Sequence, residues 1–158
     1  MAAITVLGIG NILMRDEGVG VRLLEAVRAA HQWTDSIEFV DGGAGGLNLL
    51  NIIERAKAMV VFDAANMKLT PGEYRIILPQ HIADELPEHR VSMHDVPFTE
   101  TLRLCREFLH CPGEIKVMLI QPKTVEFGRE LSDELKTAFD KLVPAAVNLV
   151  QEMCAASR

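Results

Sequence analysis

The sequence is poor in cysteine and has no long apolar run, and these two absences limit where the protein can work. Its three cysteines, Cys105, Cys111 and Cys154, are an odd number without C-x-x-C spacing, which disfavours a disulfide framework or a structural zinc knuckle. No basic segment with a cleavage-like site opens the chain, and no apolar run approaches the roughly 18 residues of a membrane span. We therefore expect a cytoplasmic protein with no membrane partner.

Excess positive charge is also absent. The chain has 16 Lys and Arg residues against 22 Asp and Glu residues, for a formal net charge of -6 at pH 7. This balance argues against nucleic acid as a partner, because a protein of this charge gains nothing from releasing the counterions of a phosphate backbone. The sequence has no linker, repeat or low-complexity segment, so its 158 residues predict a single domain over residues 1–158.

What the sequence does contain is a strand–loop–helix unit at its start. Residues 4–7 form a β-branched and aliphatic run typical of a strand, and the loop that follows, residues 8–17, holds glycines and two adjacent carboxylates. Apolar residues at helical spacing then predict a helix over about residues 18–31. Such a unit brings its loop to the carboxyl edge of a parallel sheet, where open α/β folds bind their ligands.

The same alternation of strands and helices continues and predicts the fold class. Further strands are expected at residues 36–40, 58–62, 74–78 and 115–120, and further helices after residues 47, 97 and 132. Residues 58–62 lack polar alternation and should be buried on both faces, whereas residues 74–78 should lie nearer an edge. Ser132 is expected to cap the last helix, which Pro144 should interrupt or kink. We predict a three-layer α/β/α fold with a mostly parallel sheet of about five strands.

Three side chains share one edge of this predicted sheet. Glu17 follows the first strand, Asp63 closes the third, and His94 ends a long polar loop before the next helix. Two carboxylates and one imidazole are a suitable ligand set for a divalent transition metal with open coordination positions. The sequence therefore indicates a metal site at which chemistry can occur.

Structural interpretations compete with this metal site at each of its three positions. Asp16 is favoured as the N-cap of the first helix, and the sequence alone does not decide whether Asp16 or Glu17 faces the crevice. Asp63 fits a loop-capping role as well as a functional one. Other histidines compete with His94 for a functional role: His81, His89 and His110.

The glycine-rich loops allow more than one interpretation. The first loop begins with G-I-G, as dinucleotide-binding loops do, but Leu13 stands in place of the third glycine and the nearby carboxylates would repel a pyrophosphate. The second loop contains Asp41, Gly42 and Gly43 and fits either a tight turn or bare backbone that an extended peptide can approach. Cys105 lies on the apolar stripe of a predicted helix, so it is expected in the core rather than as a nucleophile.

With these motifs the chain resembles the hydrogenase maturation endopeptidases. The resemblance rests on G-I-G-N-I-L-M-R-D-E-G-V-G-V at the start, D-G-G-A-G-G-L after the second strand, V-V-F-D-A at the third, S-M-H-D-V before the later helix and Q-P after the last strand. This ordered set covers essentially the whole chain. Members of the family trim the carboxyl terminus of the large subunit of nickel-iron hydrogenases.

The resemblance implies a site, a cofactor and details of the fold. Glu17, Asp63 and His94 fall on the family's metal-binding positions and are expected to be catalytic through the metal, with the general base unassigned. Nickel is implied to arrive with the substrate precursor, and zinc or cadmium is expected to be able to occupy the site in vitro. The implied fold is a twisted α/β/α sheet with one antiparallel strand, and the loop after the second strand is a candidate for substrate contact.

We therefore expect a substrate-specific endopeptidase that removes the carboxyl-terminal extension of a nickel-loaded large-subunit precursor and is a monomer rather than an obligate oligomer. The sequence shows no Ser-His-Asp or Cys-His set expected to converge, which argues against a covalent acyl-enzyme. The principal alternative is a nickel-sensing chaperone that holds the precursor without cutting it. A nucleotide-binding oxidoreductase and a broad-specificity metallopeptidase are further alternatives.

Overall fold

The computed structural model of the protein describes residues 2–78 and 98–157. The strands are β1 (Ile4–Gly8), β2 (Ile37–Asp41), β3 (Ala58–Ala64), β4 (Tyr74–Ile77) and β5 (Glu114–Ile120). The helices are a 3₁₀ helix (Arg15–Gly18), α1 (Val19–Ala30), α2 (Leu49–Arg55), α3 (Phe98–Phe108) and α4 (Asp133–Ala156). In this part of the chain no helix is long and apolar enough to cross a membrane.

The strands form one mixed sheet in the order β2-β1-β3-β5-β4. The pairs β1–β2, β1–β3 and β3–β5 are parallel, and β4 alone among the described strands is antiparallel to its neighbour β5. β3 lies at the centre and its first five residues are buried, as an apolar run without polar alternation requires. The predicted mostly parallel sheet, with one antiparallel strand at an edge, is confirmed.

Helices cover both faces of this sheet and create two apolar cores. Val6 and Phe62 point to the face covered by α1 and α4, whereas their neighbours Leu7 and Val61 point to the face covered by α2 and α3. Cys105 on α3 is fully buried in the second core, as predicted. The three-layer α/β/α architecture is therefore confirmed for the described residues.

Several boundaries differ from those expected. Asp63 is expected to close the third strand, and β3 continues one residue past it to Ala64. α4 runs from Asp133 to Ala156 without an interruption at Pro144. The side chain of Ser132 caps α4 as predicted, because its hydroxyl accepts a hydrogen bond from the Leu135 amide at 3.4 Å. The long polar loop expected at residues 80–95 lies outside the described residues.

Candidate functional site

The register of the sheet brings the first three strand ends to one edge. Gly8, the last residue of β1, pairs with Asp41 of β2 on one side and with Phe62 of β3 on the other. Asp63 follows Phe62 directly, and the chain leaves β1 immediately beyond Gly8. The loops after β1 and β2 and the carboxylate of Asp63 therefore meet at the carboxyl edge, as expected of a parallel sheet.

Glu17 lies at this edge because glycines on either side of it let the backbone segments pack closely together. A Cβ atom at Gly10 would lie 2.1 Å from the carbonyl oxygen of Glu17, and one at Gly20 would lie 2.2 Å from that of Ile9 and 2.4 Å from that of Phe62. Only glycine allows such close approach. The start of α1 thus packs directly on the ends of β1 and β3, and Glu17 is only 7% exposed. These glycines serve packing between protein segments.

Asp63 and Glu17 are close enough to influence each other's charge. Asp63 is half-buried, and its Oδ1 accepts a hydrogen bond from the Ala64 amide at 2.8 Å. Burial raises the pKa of Asp63 to about 8, the Ala64 amide opposes the rise, and the negative charge of Glu17 adds to it. Two carboxylates that repel each other in a protein interior are a suitable place for a divalent cation, whose charge would offset the repulsion.

Asp16 is directed away from this pair, contrary to the expectation that it caps the first helix. The residue before α1 is Gly18, which makes no side-chain capping bond. Asp16 is fully buried and accepts hydrogen bonds from Lys123, Thr124 and Ser132, which lie beyond β5. Adjacent residues on the short 3₁₀ helix thus have separate roles, and Glu17 is the one beside Asp63.

The hydrogen bonds to Asp16 also determine its charge. Burial by itself raises the pKa of Asp16, but the hydrogen bonds from the loop beyond β5 outweigh it and hold the pKa below its usual value. Asp16 is therefore an ionised, fully hydrogen-bonded carboxylate at neutral pH.

The third expected metal ligand, His94, lies outside the described residues, as do the competing histidines His81 and His89. Within residues 2–78 and 98–157, no group of three His, Cys, Asp or Glu side chains could hold a metal ion. His110 is exposed beyond the end of α3. The described part of the chain therefore brings together two of the three expected residues, Glu17 and Asp63.

The loop after β2 forms a turn at the same edge and has open space beside Gly43. Asp41 Oδ1 accepts a hydrogen bond from the Gly43 amide at 2.7 Å. The Gly42 amide donates to the Gly8 carbonyl at 2.8 Å, and the Gly10 amide donates to the Gly43 carbonyl at 2.7 Å. Gly43 has a φ of 56°, and no atom lies within 4 Å of the position a Cβ would take. The loop is therefore a tight turn, as the first interpretation expects, and contact with an extended peptide stays a prediction.

Gln121 is a structural residue whose role the sequence did not indicate beyond the Q-P motif. Its side chain is buried, and its Oε1 accepts hydrogen bonds from the amides of Met67 at 2.7 Å and Leu69 at 3.2 Å. Its Nε2 donates to Asn66 and to the Pro122 carbonyl. Gln121 thereby fixes the loop that follows β3, and a polar residue directly after an apolar strand was the available signal.

Comparison with known proteins gives one consistent result. The family model of the hydrogenase maturation protease matches residues 21–149. The hydrogenase expression/formation protein HoxM of Cupriavidus necator is 32% identical over 149 residues, which cover 94% of this chain and 74% of HoxM. The hydrogenase 2 maturation protease of Escherichia coli is 31% identical over 128 residues, which cover 78% of this chain and 75% of that protein.

Solved structures agree with the sequence comparison. The hydrogenase maturating endopeptidase HybD from E. coli superposes with a TM-score of 0.84 at 25% identity, covering 97% of this chain and 94% of HybD. The hydrogenase 3 maturation protease superposes with a TM-score of 0.71 at 29% identity, covering 90% of this chain and 88% of that one. Because the family model spans most of the chain, the protein belongs to the hydrogenase maturation protease family and is a peptidase.

Proposed function

We propose that this peptidase removes the carboxyl-terminal extension of a nickel-iron hydrogenase large-subunit precursor that already carries nickel. Membership of the hydrogenase maturation protease family supports the reaction and the class of substrate. The observation that carries the nickel dependence is the pair Glu17 and Asp63, where the charge of one carboxylate raises the pKa of the other. The two side chains need a cation to be charged together at low energetic cost.

Nickel belongs to the substrate in this proposal, since it arrives on the precursor. Glu17 and Asp63 would complete its coordination, with His94 as the third ligand. Nickel held there can polarise the scissile carbonyl or activate a water molecule. In a solution without precursor, zinc or cadmium can take its place in the same set of oxygen and nitrogen donors.

The loop after β2 supports a binding site for the tail of the precursor. Gly43 has open space at its Cβ position, and the loop that contains it is joined to the loop leading to Glu17 by the hydrogen bond between the Gly10 amide and the Gly43 carbonyl. Because Gly43 carries no side chain and has open space at its Cβ position, an extended peptide can lie close against this loop. Asp41, Gly42 and Gly43 are therefore proposed to contact the substrate, with Asp41 holding the turn.

The setting of this reaction follows from the sequence and stays a prediction. The acidic chain is expected to act in the cytoplasm as a monomer, with the large-subunit precursor as its partner and without nucleic acid or membrane.

The experiment that tests the proposed function uses intact-mass measurement of the precursor. Nickel-loaded and nickel-free precursor are each incubated with the protein, and loss of the carboxyl-terminal extension is followed with time. We expect cleavage of the nickel-loaded form only. Equal cleavage of both forms would contradict nickel dependence, and stable binding of the loaded precursor without loss of mass would instead support a chaperone.

His94 has its own test. His94→Ala should abolish cleavage of the nickel-loaded precursor because it removes one of the three proposed ligands, and circular dichroism should show an unchanged fold since the polar stretch around His94 in the sequence predicts little contribution to a core. The matched control is His110→Ala, which changes an exposed histidine and should cleave normally. Normal cleavage by His94→Ala would refute the assignment.

A further inference from the structure

We propose that Asp16 is a positioning residue, which fixes the Glu17 carboxylate beside Asp63 by joining the 3₁₀ helix to the loop between β5 and α4. This loop, residues 122–132, is the anchoring loop. The inference rests on the proposed function only for its activity measurement. The side chain of Asp16 binds the anchoring loop, and Asp16 acts on the site through its neighbour Glu17.

The carboxylate of Asp16 accepts hydrogen bonds from both ends of the anchoring loop. Asp16 Oδ2 accepts hydrogen bonds from the amides of Lys123 and Thr124, each at 3.0 Å. Its Oδ1 accepts from the amide of Ser132 at 2.7 Å, and its Oδ2 also accepts from the Ser132 hydroxyl at 2.7 Å. All four donors are protein groups, and Asp16 is fully buried. The carboxylate therefore connects the 3₁₀ helix to the N-cap of α4 and to the residues that follow β5.

Backbone hydrogen bonds reinforce the same connection. The Asp16 amide donates to the Thr124 carbonyl at 3.0 Å, the Arg15 amide donates to the Gly128 carbonyl at 2.9 Å, and the Gly128 amide donates to the Leu13 carbonyl at 2.8 Å. The Arg15 side chain adds a bond from its Nε to the Glu130 carbonyl at 3.0 Å. The segment that leads into Glu17 is thus held along its length by the anchoring loop.

The 3₁₀ helix needs this support. It is four residues long, a length at which 3₁₀ geometry has little stability of its own. Arg15 at its start has a φ of 47°, a left-handed conformation that a residue with a side chain adopts only when surrounding contacts impose it. Because the orientation of the helix determines where Glu17 points, the contacts of Asp16 determine the separation of the two carboxylates.

The substitution that isolates this role is Asp16→Asn. It keeps the size of the side chain but places an amide NH₂ among four donor groups, where at least one donor loses its acceptor. The control is Val150→Ala, which removes two methyl groups from the buried part of α4 and lowers the stability of the fold without changing a hydrogen bond of Asp16. Ser132→Ala is a second variant that removes one of the four donors and also the hydroxyl that caps α4.

Two measurements decide the proposal. Hydrogen exchange followed by mass spectrometry should show faster exchange over residues 12–20 in Asp16→Asn, and to a smaller extent in Ser132→Ala, whereas Val150→Ala should leave this segment as in the wild type. With nickel-loaded precursor, kcat of Asp16→Asn should fall by at least about tenfold, because a displaced Glu17 no longer completes the coordination of the metal at the scissile bond.

The outcomes are separable. Unchanged exchange at residues 12–20 in both Asp16 and Ser132 variants would overturn the positioning role, as would a fall in kcat that Val150→Ala reproduces. If Asp16→Asn does not fold, Ser132→Ala decides by the same two measurements. A wild-type protein that leaves the nickel-loaded precursor uncut would contradict the proposed function, and the exchange measurement would still decide whether Asp16 positions the helix.

Discussion

At the scale of single residues, Asp63 is held in an unfavourable state by the fold. Its carboxylate is removed from water and lies near the negative charge of Glu17, so its pKa rises to about 8. A core position selected only for stability would not carry an acid under these conditions. Such a residue is retained where charge chemistry is required, and the raised pKa of Asp63 therefore supports a functional role for it.

The raised pKa of Asp63 predicts how the free energy of unfolding depends on pH. The pKa of Asp63 is raised in the folded state from a usual value of 3.8 to about 8, so the unfolded chain releases this proton at lower pH than the folded protein does. Below the lower value both states are protonated and there is no penalty. Stability is lost as the pH rises between the two values, at up to about 1.4 kcal/mol per pH unit, and the penalty is constant above the upper one.

Asp63→Asn should therefore be more stable than the wild type at neutral pH, and the difference should shrink to near zero as the pH is lowered toward 4, about the usual pKa of an aspartate. Urea unfolding of both proteins at a series of pH values measures this difference in the free energy of unfolding. The control Asp140→Asn changes an exposed carboxylate and should stay within about 0.5 kcal/mol of the wild type throughout. An Asp63→Asn variant that is less stable than the wild type at pH 7 would show that the carboxylate stabilises the fold.

At the scale of elements, the site depends on how closely the loop after β1 packs on the helices that follow it. Gly10 lies against the backbone of Glu17 and Gly18, with a φ of 153°. Gly20 lies against the ends of β1 and β3. Side chains at either position would push the 3₁₀ helix and α1 away from the sheet edge. The position of Glu17 is thus a property of this whole strand–loop–helix unit.

Gly10→Ala tests this packing. Its Cβ would lie 2.1 Å from the Glu17 carbonyl oxygen, so the backbone must move. We expect the free energy of unfolding to fall by about 2 to 4 kcal/mol and cleavage of the nickel-loaded precursor to be lost, as measured by urea unfolding and intact mass. Gly113→Ala is the control, because no atom lies within 4 Å of its Cβ position. A Gly10→Ala protein with wild-type stability and activity would contradict this role of the glycine.

The sequence predicts these elements better than it predicts the contacts between them. The apolar run of β3 and the helical spacing of α1 are local signals, and both elements form where they are expected. The partners of Asp16 are 107 to 116 residues away in the chain, so no local pattern separates an N-cap from a residue that binds a distant loop. Gln121 likewise binds residues more than 50 positions away. Glu17 and Asp63 could be selected because one follows the first strand and its loop and the other lies near the end of the third strand, but the effect of Glu17 on the pKa of Asp63 needed the folded structure.

At the scale of the whole molecule, the family and the fold describe a protease with a restricted substrate. The chain is similar over most of its length to maturation proteases of hydrogenases. If nickel comes with the precursor, a peptide that carries no metal cannot complete the proposed site. The specificity of the protein would then reside in the metal-loaded state of its partner as well as in the sequence that is cut.

This restriction predicts that unrelated peptides are not cleaved. The protein incubated with casein and with a peptide library should produce no fragments by mass spectrometry, with or without added zinc, because neither substrate presents a metal site at a defined distance from a scissile bond. Thermolysin is the positive control for the assay. Cleavage of many unrelated peptides on addition of zinc would instead identify a broad-specificity metallopeptidase.

In the proposed function, the carboxylates of Glu17 and Asp63 recognise the metal carried by the precursor. The most direct measurement is the intact mass of nickel-loaded precursor after incubation with Glu17→Gln, a variant of the same size that lacks the charge, beside the wild type. We expect the wild type to remove the carboxyl-terminal extension and Glu17→Gln to leave it in place with its fold intact. Removal of the extension by Glu17→Gln at the wild-type rate would contradict the claim.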